Sequence, residues 1–265
     1  MRRGADVAWE VVLVLVVALA ASALTLVSGF GLGTLLLPAF ALVFPLDVAV
    51  AATAIVHLAN NVWKTGLLAR LADFAVVLRF GLPAAAAAVV GALVLLRLDA
   101  TTIASWRYGD VSTLGLVVGG LIVFFGVFEL SPAMRDWSVS RRYLVVGGAL
   151  SGFFGGVSGH QGALRSVFLT RLGFTPQTFV ATGALCAVLV DVSRLTVYGL
   201  ATWRHTGLAI GAAGGWWVVA AACGMAFAGA VVGKQAVGKV TMEQVRIVVG
   251  VLLLLVGALL ATGVV

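Results

Sequence analysis

The sequence predicts an all-α membrane protein, a polytopic bundle of about eight spans built from two repeats, each with a glycine-broken helix. Three observations predict it. The 265 residues are 62% hydrophobic and 10% charged, with mean hydropathy +1.15, whereas a soluble domain carries about 25% charged residues. The apolar blocks run on past the roughly 18 residues that mark a spanning helix, without the short alternating segments of a membrane β-barrel. Two glycine-rich interruptions fall inside such blocks, at 28–33 and 152–162, and their surroundings recur at an offset of about 130 residues.

Taken in order, residues 7–27 form the first span. Arg2 and Arg3 ahead of it imitate a signal peptide, but the apolar run exceeds the about 7–15 residues of a signal core. It is expected to stay as a helix. Gly29, Gly31 and Gly33 interrupt the chain. Residues 34–44 are apolar but too short to cross alone, and Pro45 ends them. Residues 48–68 carry His57, Asn60, Asn61 and Lys64 through the next span. Residues 74–96 and 111–130 give two more, separated by a loop of mixed charge at 97–110.

The polar stretch 131–142, with Arg135, Asp136, Arg141 and Arg142, is the expected seam. Residues 1–130 are then a first membrane repeat and 143–265 a second. The second follows the same plan. Residues 143–157 run into a break, 163–172 are short, and Pro176 takes the part of Pro45. Residues 179–200 are a polar-bearing span, and 208–232 and 245–265 complete the set. Gly33 pairs with Gly162 at the repeat offset, Asn61 with Asp191, and Lys64 with Arg194.

Net charge is +7, and pI 10.3 would suggest nucleic acid in a soluble protein. Here the basic residues are scattered through short loops, as topology determinants are, so no nucleic-acid partner is expected. If each broken segment makes one net crossing, the halves are parallel and both chain ends cytoplasmic. If each crosses twice, the halves are inverted and the charge bias reverses. The first count is adopted here. Cys186 and Cys223 lie in apolar runs and read as small hydrophobes. No cofactor or metal is implied. The trypotophans Trp63, Trp203, Trp216 and Trp217 read as interface anchors or packing.

The two glycine-rich segments, SGFGLGTLLLPAFALVFPLDVAVAAT and SGFFGGVSGHQGALRSVFLTRLGFTP followed by FVATGALCAVLVDVSRLTVYG, resemble the paired repeats of the TauE/SafE sulfite exporter family. The resemblance covers most of the chain. It implies a multi-pass transporter of small anions, sulfite, organosulfonates or related sulfur compounds, in the cell's inner (plasma) membrane. The first segment departs from the family's fuller glycine cluster.

The residues suit that chemistry. A break exposes backbone N–H groups, tolerable at membrane depth only against protein or a water-filled cavity. The half-helix that follows starts with a positive dipole end. Gly31, Gly33, Gly159 and Gly162 are therefore candidate substrate-binding positions. Tight helix packing by small residues is the alternative reading of the glycines. Arg165, about one turn into the second half-helix, has a planar fork suited to an oxyanion. His160 and Gln161 are donors within the break. Asn61 and Arg194 complete the candidate set. Asp191 and Arg194 are an i,i+3 pair, either a structural ion pair or a switch in which Asp191 takes a proton and frees Arg194. Asp191 is the candidate proton-coupling residue. His57 reads as a core histidine, Lys64 as a helix-end charge and His205 as solvated.

No catalytic residue is assigned. Two other readings compete. Gly156-Val-Ser-Gly159 spells the GxSG of rhomboid-type intramembrane serine proteases, with Ser158 as nucleophile, but the required histidine on a later helix is missing. A non-transporting scaffold would explain the apolar helices and not the duplicated polar breaks. The partners expected are a small sulfur anion and the lipid bilayer. The sequence is compatible with a homo-oligomer.

Overall fold

Glycine, proline and polar caps set the helix ends. The computed structural model describes residues 4–28, 31–98, 101–132, 139–212, 215–236 and 241–264. Helix α1 (Gly4–Ser28) and the short α2 (Leu32–Val43) flank the first break. Pro45 ends α2 and leads into α3 (Leu46–Leu68). Asp73 caps α4 (Phe74–Arg97) by accepting from the Val76 N–H at 3.0 Å. A π-helical stretch, Val77–Gly81, lies inside α4. The expected loop at 97–110 is instead an antiparallel hairpin, β1 (Thr102–Trp106) and β2 (Gly109–Ser112). Ser112 then caps α5 (Thr113–Leu130) through the Gly115 N–H.

In the second half, α6 (Leu144–Ser158) and α7 (Gly162–Leu169) flank the second break. Helix α8 (Pro176–Ala212) outruns the expected 179–200 and takes in the start of what reads as the following span. Helices α9 (Trp216–Ala236) and α10 (Met242–Ala261) follow, the latter opened by a Thr241–Gln244 capping box. Arg2, Arg3, Gly29, Arg135, Asp136 and Lys239 lie outside the described residues, as do the side chains of Trp203, Arg204, His205 and Lys234.

Five helices among the described residues are long and apolar enough to cross a bilayer: Leu46–Leu71, Phe74–Arg97, Thr113–Leu130, Pro176–Leu200 and Trp216–Gly233. The bundle's outer face is apolar, with Val12, Val16, Leu78, Phe124, Val145, Leu252 and Leu255 exposed, as lipid requires.

Close approaches fix how the helices run. A methyl group on Gly148, Gly152 or Gly156 of α6 would collide with the carbonyl of Phe80, Ala84 or Ala88 on α4. The numbers rise together, so α4 and α6 are parallel. In the same way Gly229 and Gly233 of α9 meet the carbonyls of Leu19 and Ala23 on α1, and this pair is parallel too. Helices α5 and α10 are antiparallel, with Gly115 against Leu260 and Gly126 against Gly250.

Helices α3 and α8 pack together and run antiparallel. At one end the Asp73 N–H, just past α3, donates to Thr182 Oγ1 at 3.0 Å. At the other, Asp47 and Ala51 share a cavity of about 150 Å³ with Leu98, Leu114 and Tyr198. The bundle therefore has two ends. The Asp73 end carries Arg141, 3.8 Å from the Asp73 carboxylate. The Trp106 end carries the β-hairpin, where Trp106 Nε1 donates to Thr262 O at 2.7 Å.

The second break is a hairpin. A Cβ on Gly147, early in α6, would strike the ring of Phe168, late in α7. The chain thus enters from the Asp73 end, turns at Gly159 and goes back toward that end. Helix α7, at 8 residues, is about 12 Å long, well short of the roughly 30 Å hydrocarbon layer. Helix α2 likewise packs back on α1. One net crossing per broken segment, the count adopted from sequence, does not describe this chain.

Candidate functional site

The turn of the second hairpin places backbone and side chains at the centre of the bundle. Gly159 closes α6 with φ 79°, in the left-handed region that glycine tolerates. Gly31 opens α2 with φ 117°. Neither α2 nor α7 has a side-chain cap on its first turn, unlike α4, α5 and α10. The two turns come together: a Cβ on Gly33 would lie 3.5 Å from Gly159 O and 3.4 Å from the His57 ring. Gly162 is the first residue of α7.

Asp191 is the hub. Its carboxylate is fully buried. Oδ1 accepts from Arg194 Nη2 at 2.8 Å, from Arg194 Nε at 3.0 Å and from Gln161 Nε2 at 3.2 Å. Oδ2 is 2.5 Å from His57 Nδ1. The fork of Arg194 thus spends two donors on one carboxylate oxygen, a strong charge-assisted arrangement. Its third nitrogen, Nη1, donates to Gly155 O at 3.3 Å and lies 3.1 Å from where a Cβ on Gly159 would be. The pair is therefore formed, and Arg194 touches the break itself.

Gln161 serves both sides of the turn. Its side-chain amide N–H donates to Asp191, while its backbone carbonyl accepts from Ser151 Oγ at 2.8 Å. Asn61 is buried. Its amide donates to the His57 carbonyl at 2.8 Å and lies against the imidazole, so it orients His57. His160 is buried and stacked on Phe125 with ring centroids 5.6 Å apart. Its Nδ1 points at the Ser158 carbonyl at 2.8 Å, and a ring nitrogen donating there cannot act as a base toward Ser158. The Ser158 hydroxyl itself donates to Phe154 O. The nucleophile–base–orienter chain of a serine hydrolase is not assembled here.

Arg165 is buried at 5% exposure. It packs over Gly183, whose Cβ would lie 3.4 Å from Arg165 Nε, and is within electrostatic reach of His57, Lys64, Cys186 and Asp191. Two residues differ from their sequence reading. His57 is buried, but as a partner of Asp191 rather than as an apolar core residue. Lys64 is not a helix-end charge: it is buried and donates to Thr25 Oγ1 at 2.6 Å. A signal for both was present, since they lie seven residues apart on one face of α3 with Asn60 and Asn61. The described residues contain no group of His, Cys, Asp and Glu that could hold a metal ion.

A membrane helical bundle with a buried polar centre, reached by two glycine turns, has the build of a transporter. Residues 14–260 match the sequence model of the family described as Sulfite exporter TauE/SafE, and the chain belongs to that family of multi-pass membrane transporters. No curated protein and no solved structure matches the chain.

Proposed function

We propose that the protein is a secondary transporter of small sulfur oxyanions, sulfite or an organosulfonate, built from two inverted repeats whose broken helices carry the substrate site at their tips. The observation that carries this reading is the meeting of the two turns beside buried arginines. Gly33 and Gly159 approach each other where Arg194 contacts the break and Arg165 lies one turn into α7. Backbone N–H groups at the uncapped starts of α2 and α7, with guanidinium donors beside them, form an anion seat.

The inverted repeat accounts for the packing. Exchange of the halves carries the α1–α9 pair onto the α6–α4 pair, while α3 and α8 exchange, as do α5 and α10, each pair antiparallel. An inverted pair of repeats with broken helices facing a midplane site supports alternating access. Arg70, Arg79, Arg141, Arg142, Arg171 and Arg246 fall toward the Asp73 end, against Arg97 and Arg107 toward the Trp106 end. The positive-inside rule then makes the Asp73 end cytoplasmic, in the inner membrane.

Proton coupling, in this reading, runs through His57 and Asp191 together. A proton arriving on the pair loosens the hold of Asp191 on Arg194 and Gln161, and both then turn to the anion. The test is flux in proteoliposomes over sulfite, organosulfonates, sulfate and thiosulfate, with and without a pH gradient. Arg165→Ala abolishes flux while the protein still inserts. Undiminished flux in that variant overturns the site.

A further inference from the structure

Helix α6 ends at Ser158 and the chain turns back, so this segment does not fill the space beyond it. That space is the cavity of about 150 Å³ bounded by α3, α4, α5 and α8. Its place follows from α4. Gly91 is where α4 touches the end of α6, since a Cβ there would strike Val157 N and Gly156 Cα. Leu95, one turn further along the parallel α4, lines the cavity. The cavity therefore lies just past the end of α6, toward the Trp106 end. Asp47, exposed at the start of α3, stands at its mouth, and Ala51 lies one turn deeper. There is room for several waters.

Tyr198 is the floor. Its side chain lines the cavity but the residue is only 5% exposed, and its hydroxyl donates to Gly156 O at 2.6 Å. Arg194, one turn earlier on α8, donates to the adjacent carbonyl, Gly155 O, at 3.3 Å. The two side chains pin neighbouring carbonyls in the last turn of α6, where a helix runs out of its own donors. Asp191 and Arg194 are wholly buried, so water in the cavity stops at Tyr198. Along the antiparallel pair, His57 meets Asp191, and Ala51 shares the cavity with Tyr198. Ala54, between them on α3, comes level with Arg194 and is fully buried.

The lining suits departure of an anion rather than its binding. Asp47 supplies a negative charge, and no basic side chain among the described residues lines the cavity. The end of α6 adds the negative pole of a helix dipole. An oxyanion that arrives there is repelled.

We propose that this cavity is the release vestibule of the transport path, and that Tyr198 is the gate between it and the Asp191–Arg194 centre. The proposal rests on the transport reading above. With the Tyr198 hydroxyl on Gly156 O the gate is shut. A turn of the ring away from Gly156 joins the cavity to the centre. Arg194 and Tyr198 hold the same turn of α6, so an Arg194 that leaves Gly155 for the anion loosens the turn on which Tyr198 rests.

The test uses the full chain lacking Cys186 and Cys223, in proteoliposomes of known orientation. An impermeant, cationic methanethiosulfonate is added from the Trp106 side. Ala51→Cys is labelled. Ala54→Cys is shielded while Tyr198 is present. Tyr198→Phe, which keeps the ring and loses the bond to Gly156, speeds its labelling about tenfold, as the loss of one hydrogen bond allows. Tyr198→Ala speeds it further. From the Asp73 side the rate does not change, which separates a gate from general loosening of the bundle. An unlabelled Ala51→Cys overturns the vestibule. Ala54→Cys labelling that is equal with and without Tyr198, or that rises alike from both sides, overturns the gate. Tyr198→Phe decides the question alone if Tyr198→Ala fails to insert. Absence of sulfite flux through the unsubstituted protein counts against the transport reading instead, and the labelling still decides the role of Tyr198.

Discussion

The α4–α6 pair and the α1–α9 pair do the same job with the glycines on opposite partners. In the first, Gly148, Gly152 and Gly156 lie on α6, the helix that leads into the break, and α4 adds Gly91. In the second, the lead-in helix α1 presents Leu19 and Ala23, and the glycines Gly229 and Gly233 lie on α9. The second break therefore looks glycine-rich and the first looks sparse. Most of that excess is close packing of the small-xxx-small kind, and the turns themselves rest on Gly31 and Gly159. The polar side divides similarly. Arg194 reaches back to Gly155 in one half, and Lys64 reaches Thr25 in the other. Arg194 has Asp191 three residues before it, where Lys64 has Asn61.

Substitutions can break this comparison at graded cost. The largest effect is expected at the helix contacts. Gly152→Leu drives a side chain into Ala84, and Gly229→Leu does the same into Leu19. Each is expected to cut the monodisperse yield about tenfold in size-exclusion chromatography, beyond the about 1–3 kcal/mol of ordinary overpacking. Gly224→Leu has open space around its Cβ and leaves the yield unchanged.

Next comes the ion pair. Arg194→Ala strands the buried Asp191 and costs about 3–5 kcal/mol, read as a lowered thermal midpoint with loss of flux. Lys64→Gln strands no acid and lowers the midpoint far less. Equal losses would erase the distinction between the halves.

The turn glycines are smaller. Gly31→Ala and Gly159→Ala each cost about 1–2 kcal/mol for a side chain at positive φ. His57→Asn is the mildest for folding and the most telling for mechanism. It removes the dependence of flux on an imposed pH gradient, because the proton then has only Asp191 to bind. An unaltered response to the gradient in that variant removes His57 from the coupling.

Much of the architecture was legible in the sequence. Length of apolar runs and the Pro45 and Pro176 stops place most helices within a few residues, because lipid forces backbone pairing inside each segment. The length of α8 was not legible, since the helix runs on through Gly199 and the polar stretch 203–206, where the sequence reads as a loop. The β-hairpin hid behind mixed charge. The path of the broken segments was also not legible. Glycine at 159 says that the chain turns, and only the contact of Gly147 with Phe168 says that it turns back.

At the site, Asp191, Arg194 and Gln161 were legible from spacing and from their place beside the break. His57 and Lys64 were not, because a buried polar residue on an apolar helix reads the same whether its partner is four residues or 134 residues away.

The most direct test of the account is the side of the membrane reached by the two prolyl turns. Asp47 and Thr175 lie beside the two prolines, Pro45 and Pro176, that follow α2 and α7, and both are exposed. In a background lacking Cys186 and Cys223, Asp47→Cys and Thr175→Cys are labelled separately with an impermeant maleimide, in vesicles of known orientation. Inverted hairpins that meet at their tips predict labelling from opposite sides, Thr175→Cys from the cytoplasm and Asp47→Cys from outside. Labelling of both from the same side would contradict the inverted arrangement and the site built on it.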